Sequence, residues 1–293
     1  MNYHALLLIL SMLLVGANVG IGKSIVAHMP VEALAMFRFI VAVVVLAPVL
    51  HPTRMRGISR KEWVSLFLQA LFGTFLFTLL MLNGVARTSA MAAGVITSTI
   101  PAVVALLAWV LLGERPTRRA LASIALAITG IATLELAAPR TSGGAAPSLI
   151  GNLLILAAVV CESIYIILSR RLTQTLEPLR ICAYTHLFGF LLMLPLGIPV
   201  LVHLDYASIP ASTWALTLWY GLAASIFSFW LWMKGIRHVP GNLAGVFSAV
   251  LPLAATAWGI AVLGEKPGFA HVVAFVCVVT GIVLASRGTP RAA

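Results

Sequence analysis

The chain has 293 residues, of which 61% are hydrophobic and only 9% charged, at a mean hydropathy of +1.06. Soluble domains run near half apolar and a quarter charged, so this composition excludes a soluble fold and leaves no polar stretch long enough for a separate aqueous domain. The formal net charge of +11 is no sign of nucleic acid here, because basic residues of membrane proteins gather in cytoplasmic loops.

Apolar runs long enough to cross about 30 Å of hydrocarbon recur from end to end. Read between charged or Pro/Gly-rich breaks, they predict ten spans at roughly 5–27, 32–50, 63–83, 91–112, 119–137, 150–169, 180–202, 212–233, 243–263 and 269–286. The expected fold class is an all-α membrane protein with ten transmembrane helices. The first run lacks a basic segment ahead of it and a small-residue cleavage site after "IVAHMP", so it reads as a retained span.

Span 1 holds "GANVGIGKS", Gly16 to Ser24, which ends like a phosphate-binding loop. Such a loop needs Gly-x-x-x-x-Gly-Lys-Ser after a strand. Here Ala17 stands at the first glycine position, inside a continuous apolar run. Helical backbone N–H groups in lipid are already bonded internally, so no nucleotide is expected. Gly16, Gly20 and Gly22 instead form a small-residue face for close helix contact. Asn18 lies near the middle of the span and Lys23 toward its outer end, where it meets either substrate or lipid headgroups. Span 2 carries Arg38 about six residues in, a depth at which a cation must pair or face water. Glu32 on the same helix and Glu135 near the outer end of span 5 are its candidate partners. Lys23 and Arg38 are expected to form an outer polar gate or to hold a substrate carboxylate.

Aromatic residues cluster in spans 3 and 8. Phe75, Phe227 and Trp230 are deep enough to line a pocket, whereas Trp63, Trp214 and Trp232 read as interface anchors. Pro101 and Pro252 interrupt spans 4 and 9 and free the carbonyls four residues back, on Thr97 and Ser248. Those carbonyls must face protein or a wet cavity. The two prolines therefore mark a central site, or else shape helix packing with Thr97, Ser98 and Ser248 satisfying the backbone locally. Glu114 and Glu265 end the same two spans, as punctuation before Pro116 and Pro267; Thr117 is a plausible helix cap.

Span 6 contains Glu162, an acid near mid-span, with Tyr165 in the same run "VVCESIYIIL". An intramembrane carboxylate binds a substrate ammonium, relays protons, or stays protonated as a structural group. His186 in span 7 stands roughly at Arg38's repeat position and reads as structural. Cys161, Cys182 and Cys277 all fall in apolar segments and read as packing residues. No metal and no cofactor is expected.

The loops set the orientation. Of 19 Lys and Arg, 14 fall on the side holding the N-terminus, the even-numbered loops and the C-terminus. Only Arg87, Arg140 and Lys266 fall on the other side, which puts both termini in the cytoplasm. An ungapped match of 84–131 to 235–282 gives 12 identities in 48 positions. They include Gly84/Gly235, Pro101/Pro252, Gly113-Glu114/Gly264-Glu265 and Pro116/Pro267, which shared hydrophobicity alone does not align. Two repeats follow, at 1–140 and 150–287 with a linker over 138–149. Five spans per repeat invert the second copy, an arrangement typical of secondary transporters.

These residues also carry a family resemblance. Gly16, Asn18 and Lys23 in span 1, Phe37-Arg38-Phe39 in span 2, "LLGERPT" after span 4 and its echo "VLGEKP" after span 9 resemble the EamA-type members of the drug/metabolite transporter superfamily. One departure is Val15, where many relatives carry Trp. The resemblance covers about residues 5–286 and implies a ten-span exporter of the bacterial inner membrane, with YddG-like amino-acid exporters as the specific comparison.

The expectation is a multi-pass secondary transporter that exports amino acids or related small metabolites by alternating access. The expected cavity residues are Asn18, Lys23, Arg38, Phe75, Thr97, Ser98, Pro101, Glu162, Tyr165, Phe227, Trp230, Ser248 and Pro252. Its partners are a small-molecule substrate and the lipid bilayer, with the monomer as the expected unit. Export of toxic organic compounds or drugs is the alternative. A membrane enzyme is the rival from another class, but its only support is Asp205, the single Asp, beside His203.

Overall fold

The computed structural model describes residues 3–50, 57–112, 118, 121–122, 125–126, 129–130, 133, 149–237, 247, 250–266 and 268–286. Among these, the structure is helical throughout, with no strand. Six helices are long and apolar enough to cross a membrane: Tyr3–Val26, Val31–Val49, Arg60–Val85, Leu149–Ser169, Pro178–Val202 and Ala211–Ile236. At 1.5 Å per residue, even the shortest, with 19 residues, approaches the thickness of the hydrocarbon core. They fall on the expected spans 1, 2, 3, 6, 7 and 8.

We number the α-helices in chain order: α1 Tyr3–Val26, α2 Val31–Leu46, α3 Arg60–Ala70, α4 Phe77–Val85, α5 Ala90–Thr97, α6 Ile100–Leu112, α7 Leu149–Leu172, α8 Pro178–Val202, α9 Ala211–Leu222, α10 Ser228–Ile236, α11 Val250–Ala261 and α12 Phe269–Ser286. Their starts follow local chemistry. Ser59 and Glu62 form a reciprocal capping box on α3, and the Ser89 hydroxyl accepts the Ala92 amide at the head of α5. Each satisfies backbone donors that a helix leaves free at its N-terminus. Pro178 opens α8 from its first turn, where the missing N–H costs nothing.

Two spans are not simple α-helices. A π-helical segment, Leu71–Leu76, joins α3 to α4, and another, Ala223–Phe227, joins α9 to α10. Such segments insert an extra residue per turn and re-aim the side chains beside them.

The stretch expected as one span over 91–112 is two helices. It breaks at Ser98-Thr99, and Pro101 is the second residue of α6. Thr97, Ser98 and Thr99 each turn their hydroxyls back to the carbonyl three residues earlier. The hydroxyls before Pro101 are thus committed to the backbone of the preceding turn. Pro252 is the third residue of α11. Ser248, Glu114, Glu135 and Thr117 lie outside the described residues.

Helices distant in sequence pack together: α1 on α10 and α11, α2 on α8 and α9, α4 on α7, and α5 on α11. Glycine permits the closest of these contacts. A Cβ on Gly16 would strike the Leu251 carbonyl, and one on Gly20 the Trp258 ring. Gly16 and Gly20 of span 1 therefore form the surface on which α11 lies, while Gly22 faces Leu82 and Tyr220. Between these packed pairs the molecule leaves a polar cavity.

Candidate functional site

Arg38 is the centre of the site. It projects from α2 and is 4% exposed. Its Nε donates to Ser225 Oγ at 2.9 Å, and Nη1 donates to Thr78 Oγ1. Thr78 lies on α4, and Ser225 lies in the second π-helical segment. A buried guanidinium is tolerated only when its donors are satisfied. Neither bond goes to Glu32, the same-helix partner expected from sequence, which sits in the first turn of α2. Nη2 donates to no described residue.

Glu162, on α7, lines the same cavity as Arg38. The two side chains form no ion pair within 4.0 Å. Glu162 makes no hydrogen bond to a described residue. Ser11, Asn18, Tyr165, Tyr220, Ser228 and Trp232 add to the polar lining, amid apolar walls that include Met12, Val19 and Phe77. Asn18 is 4% exposed, and neither atom of its amide has a partner among the described residues. The indole N–H of Trp232 likewise has none among them. A buried amide left without partners costs about 1–3 kcal/mol, so these groups are suited to a polar ligand or ordered water. The free volume of the cavity, about 60 Å³, holds a few waters but no metabolite.

Asn18, Arg38, Glu162 and Tyr165 thus converge, and the structure places Lys23, Phe75, Thr97, Ser98, Phe227 and Trp230 elsewhere. Lys23 reaches away from the cavity to Glu265, with Nζ and Oε1 2.8 Å apart. It meets neither cavity nor headgroups alone, but a carboxylate from the far end of the chain. Phe75 packs against the apolar cluster around Phe39 and Met193. Thr97 and Ser98 are buried with their hydroxyls committed to local backbone. Phe227 and Trp230 line a separate, wholly apolar groove of about 820 Å³ beside Trp219 and Trp258, where Phe227 is 43% exposed.

Several groups in and behind the cavity wall carry weak sequence signals. Thr78 and Ser225 look like ordinary small polar residues of apolar spans. Trp232 reads as an interface anchor, yet it is 2% exposed and faces the cavity. His186 packs its ring 5.1 Å from Phe229, and its Nδ1 lies 2.8 Å from the Cys182 carbonyl, a structural placement behind Arg38. No group of three or more His, Cys, Asp or Glu able to hold a metal occurs among the described residues.

Comparison with known proteins gives this cavity its context. The model of the EamA-like transporter family matches residues 2–135 and again 149–287. The uncharacterized transporter YetK of Bacillus subtilis (strain 168) is 32% identical over 274 residues, covering 93% of this chain and 83% of that one. A probable terminal-alkyne amino-acid exporter of Streptantibioticus cattleyicolor is 27% identical, covering 88% of this chain and 85% of that one. A solved crystal structure superposes over 97% of both chains with a TM-score of 0.63 at 21% identity, which shows a shared fold. The relatives and the family are transporters, and the enzyme alternative falls with that. With both stretches matched and helices able to cross a membrane between them, the chain belongs to the EamA-like transporter family.

Proposed function

We propose that this transporter is a secondary exporter of amino acids or related small metabolites, moving a zwitterion through the Arg38–Glu162 cavity. The observation that carries the reading is that one buried cavity presents a fixed cation and a carboxylate that do not pair with each other. A zwitterion satisfies both at once. Its carboxylate meets the guanidinium, its ammonium meets Glu162, and the Asn18 amide is free to bond either end. The amino-acid exporter among the relatives supports this reading.

In this proposal the chain has ten spans in two inverted halves, 1–140 and 150–287, with both termini on the cytoplasmic side of the bacterial inner membrane. Two observations support the halves. The family model matches twice. In the register that pairs Gly84 with Gly235, the π-helical segment Leu71–Leu76 falls on 222–227, the site of the second such segment. The small volume of the cavity accords with alternating access, in which the helices part on one side at a time to admit and release substrate.

The test is counterflow of a labelled amino-acid panel in liposomes, with and without a pH gradient. Saturable flux that fails in Arg38→Ala and weakens, through a raised KM, in Glu162→Gln supports the reading; no saturable flux for any amino acid sinks it. The apolar groove holding Phe227, Trp230 and Trp258 favours a second reading, export of lipophilic organic compounds. Flux of lipophilic amines alone in the same assay would select it.

A further inference from the structure

We infer that Ser225 and Thr78 are positioning residues that aim the Arg38 guanidinium at a substrate carboxylate, so that these two hydroxyls set the preference for carboxylate-bearing substrates. The inference rests on the carboxylate role of Arg38 proposed above.

The geometry is specific. A guanidinium has five N–H donors in a planar fork. Ser225 takes Nε–H at 2.9 Å and Thr78 takes one Nη1–H. Two anchors on different atoms of a planar group fix its rotation about the side-chain axis. The second Nη1–H and both Nη2 hydrogens are left; with Nε–H taken by Ser225, the edge that can still offer a carboxylate two parallel bonds is the end one, formed by one hydrogen from each Nη. The anchors come from opposite halves of the chain, Thr78 from α4 and Ser225 from the segment before α10. The fork is therefore aimed by their relative position rather than by α2 alone.

Ser225 is itself held in place. Its carbonyl accepts a bond from Cys182 Sγ at 3.2 Å, and the Ser228 carbonyl, one turn on, accepts Ser11 Oγ at 2.6 Å. Ser225 lies within the π-helical turn at Ala223–Phe227, and it is from there that its hydroxyl meets Arg38. Neither hydroxyl is expected to touch substrate. They act by orienting a group that does, because a fork left to rotate binds a carboxylate through one bond in place of two.

The experiment compares counterflow of the free acids of alanine, leucine and phenylalanine with that of their amides, in reconstituted wild type, Arg38→Gln, Ser225→Ala, Ser225→Thr and Thr78→Val. Monodisperse elution in detergent is required of each variant. Ser225→Ala and Thr78→Val should each raise KM for the acids by about tenfold, the loss of one hydrogen bond to a charged group. Their kcat should stay nearly unchanged and the acid-over-amide preference should shrink. Ser225→Thr, which keeps the hydroxyl, should restore both. A merely structural serine would change yield without moving that preference. If Arg38→Gln abolishes the preference while Ser225→Ala and Thr78→Val keep it, the positioning role is overturned and the carboxylate reading survives. If Arg38→Gln keeps the preference, or wild type moves none of the three acids, the carboxylate reading is overturned and the positioning role goes with it.

Discussion

Lys23 Nζ lies 2.8 Å from Glu265 Oε1, and that same oxygen accepts the Ala90 amide at 2.9 Å. One carboxylate thus ties the end of α1, the first turn of α5 and the turn after α11. It is delivered there by Gly264, whose φ of +66° belongs to the left-handed region open to glycine. That turn lets the Glu265 amide fold back onto the Gly259 carbonyl at 2.9 Å. Glu265 was legible in the sequence as helix punctuation; its second role as a clasp between helices required the fold.

The clasp predicts an order of effects. The two side chains are 28% and 12% exposed, so the ion pair itself is worth about 0.2–1 kcal/mol. Lys23→Ala removes only that pair. Glu265→Gln also weakens the bond to a helix N-terminus, where a negative charge adds about 0.3–1 kcal/mol. Glu265→Gln should therefore lower the Tm in detergent more than Lys23→Ala does. A double-mutant cycle should return a coupling of about 0.2–1 kcal/mol. A coupling near zero would mean that the pair holds nothing.

The glycine face of α1 predicts a second ranking. A Cβ on Gly16 meets the Leu251 carbonyl and approaches Ala254 Cβ to 2.7 Å. Neither neighbour can move without shifting α11. On Gly20 it meets the Trp258 ring, and on Gly22 the tip of Leu82 at 2.9 Å, a flexible methyl that yields. Overpacking of a tight contact costs about 1–3 kcal/mol. Thermal unfolding should rank the alanine variants Gly16 worst, Gly20 next and Gly22 nearly neutral. Equal tolerance of all three would show that α1 and α11 do not depend on this contact.

Asn18, Arg38 and Glu162 stood out in the sequence because each violates the hydropathy around it, and the cost of burying a polar group makes such violations informative. Their partners did not stand out. Arg38 is held by Thr78 and Ser225, which lie 40 and 187 residues away, and Lys23 by Glu265 at 242. Nothing local encodes those pairings. The facing of Phe227, Trp230 and Trp232 was obscure for a different reason. Counting at 3.6 residues per turn loses phase across the π-helical segment Ala223–Phe227, so Trp232 turns inward to the cavity while Phe227 turns out. The break in span 4 was half legible. Pro101 announced it, but whether Thr97 and Ser98 would serve the site or their own backbone depended on rotamers that sequence does not specify.

Arg38→Lys should fail almost as completely as Arg38→Ala. A lysine ammonium is a compact point charge with three donors and no planar fork. It has no second nitrogen with which to reach Ser225 and Thr78 and still offer a paired edge to a carboxylate. Each hydrogen bond to a charged group is worth about 1.5–3 kcal/mol, so losing the paired contact to a substrate carboxylate should lower kcat/KM for amino-acid counterflow by at least about 100-fold in both variants. Near-normal flux in Arg38→Lys would show that charge alone suffices.

Glu162 makes the pH dependence of transport a test of its role. If its carboxylate holds the substrate ammonium, protonation removes the attraction, and affinity for a zwitterion must fall as the pH is lowered through its titration. Glu162→Gln mimics the protonated form in shape and hydrogen bonding while fixing the charge at zero. The variant should bind weakly at every pH, with KM raised about tenfold or more, the range for a lost hydrogen bond to a charged group. Its pH profile should be flat where that of the wild type slopes. The comparison also separates binding from proton coupling. A coupled exporter in which Glu162 carries the proton would lose its response to an imposed pH gradient in Glu162→Gln while still exchanging substrate for substrate. A facilitator would show the same weakened KM and no gradient response in either form. A sloping profile that persists unchanged in Glu162→Gln would place the titrating group elsewhere and remove Glu162 from the ammonium site.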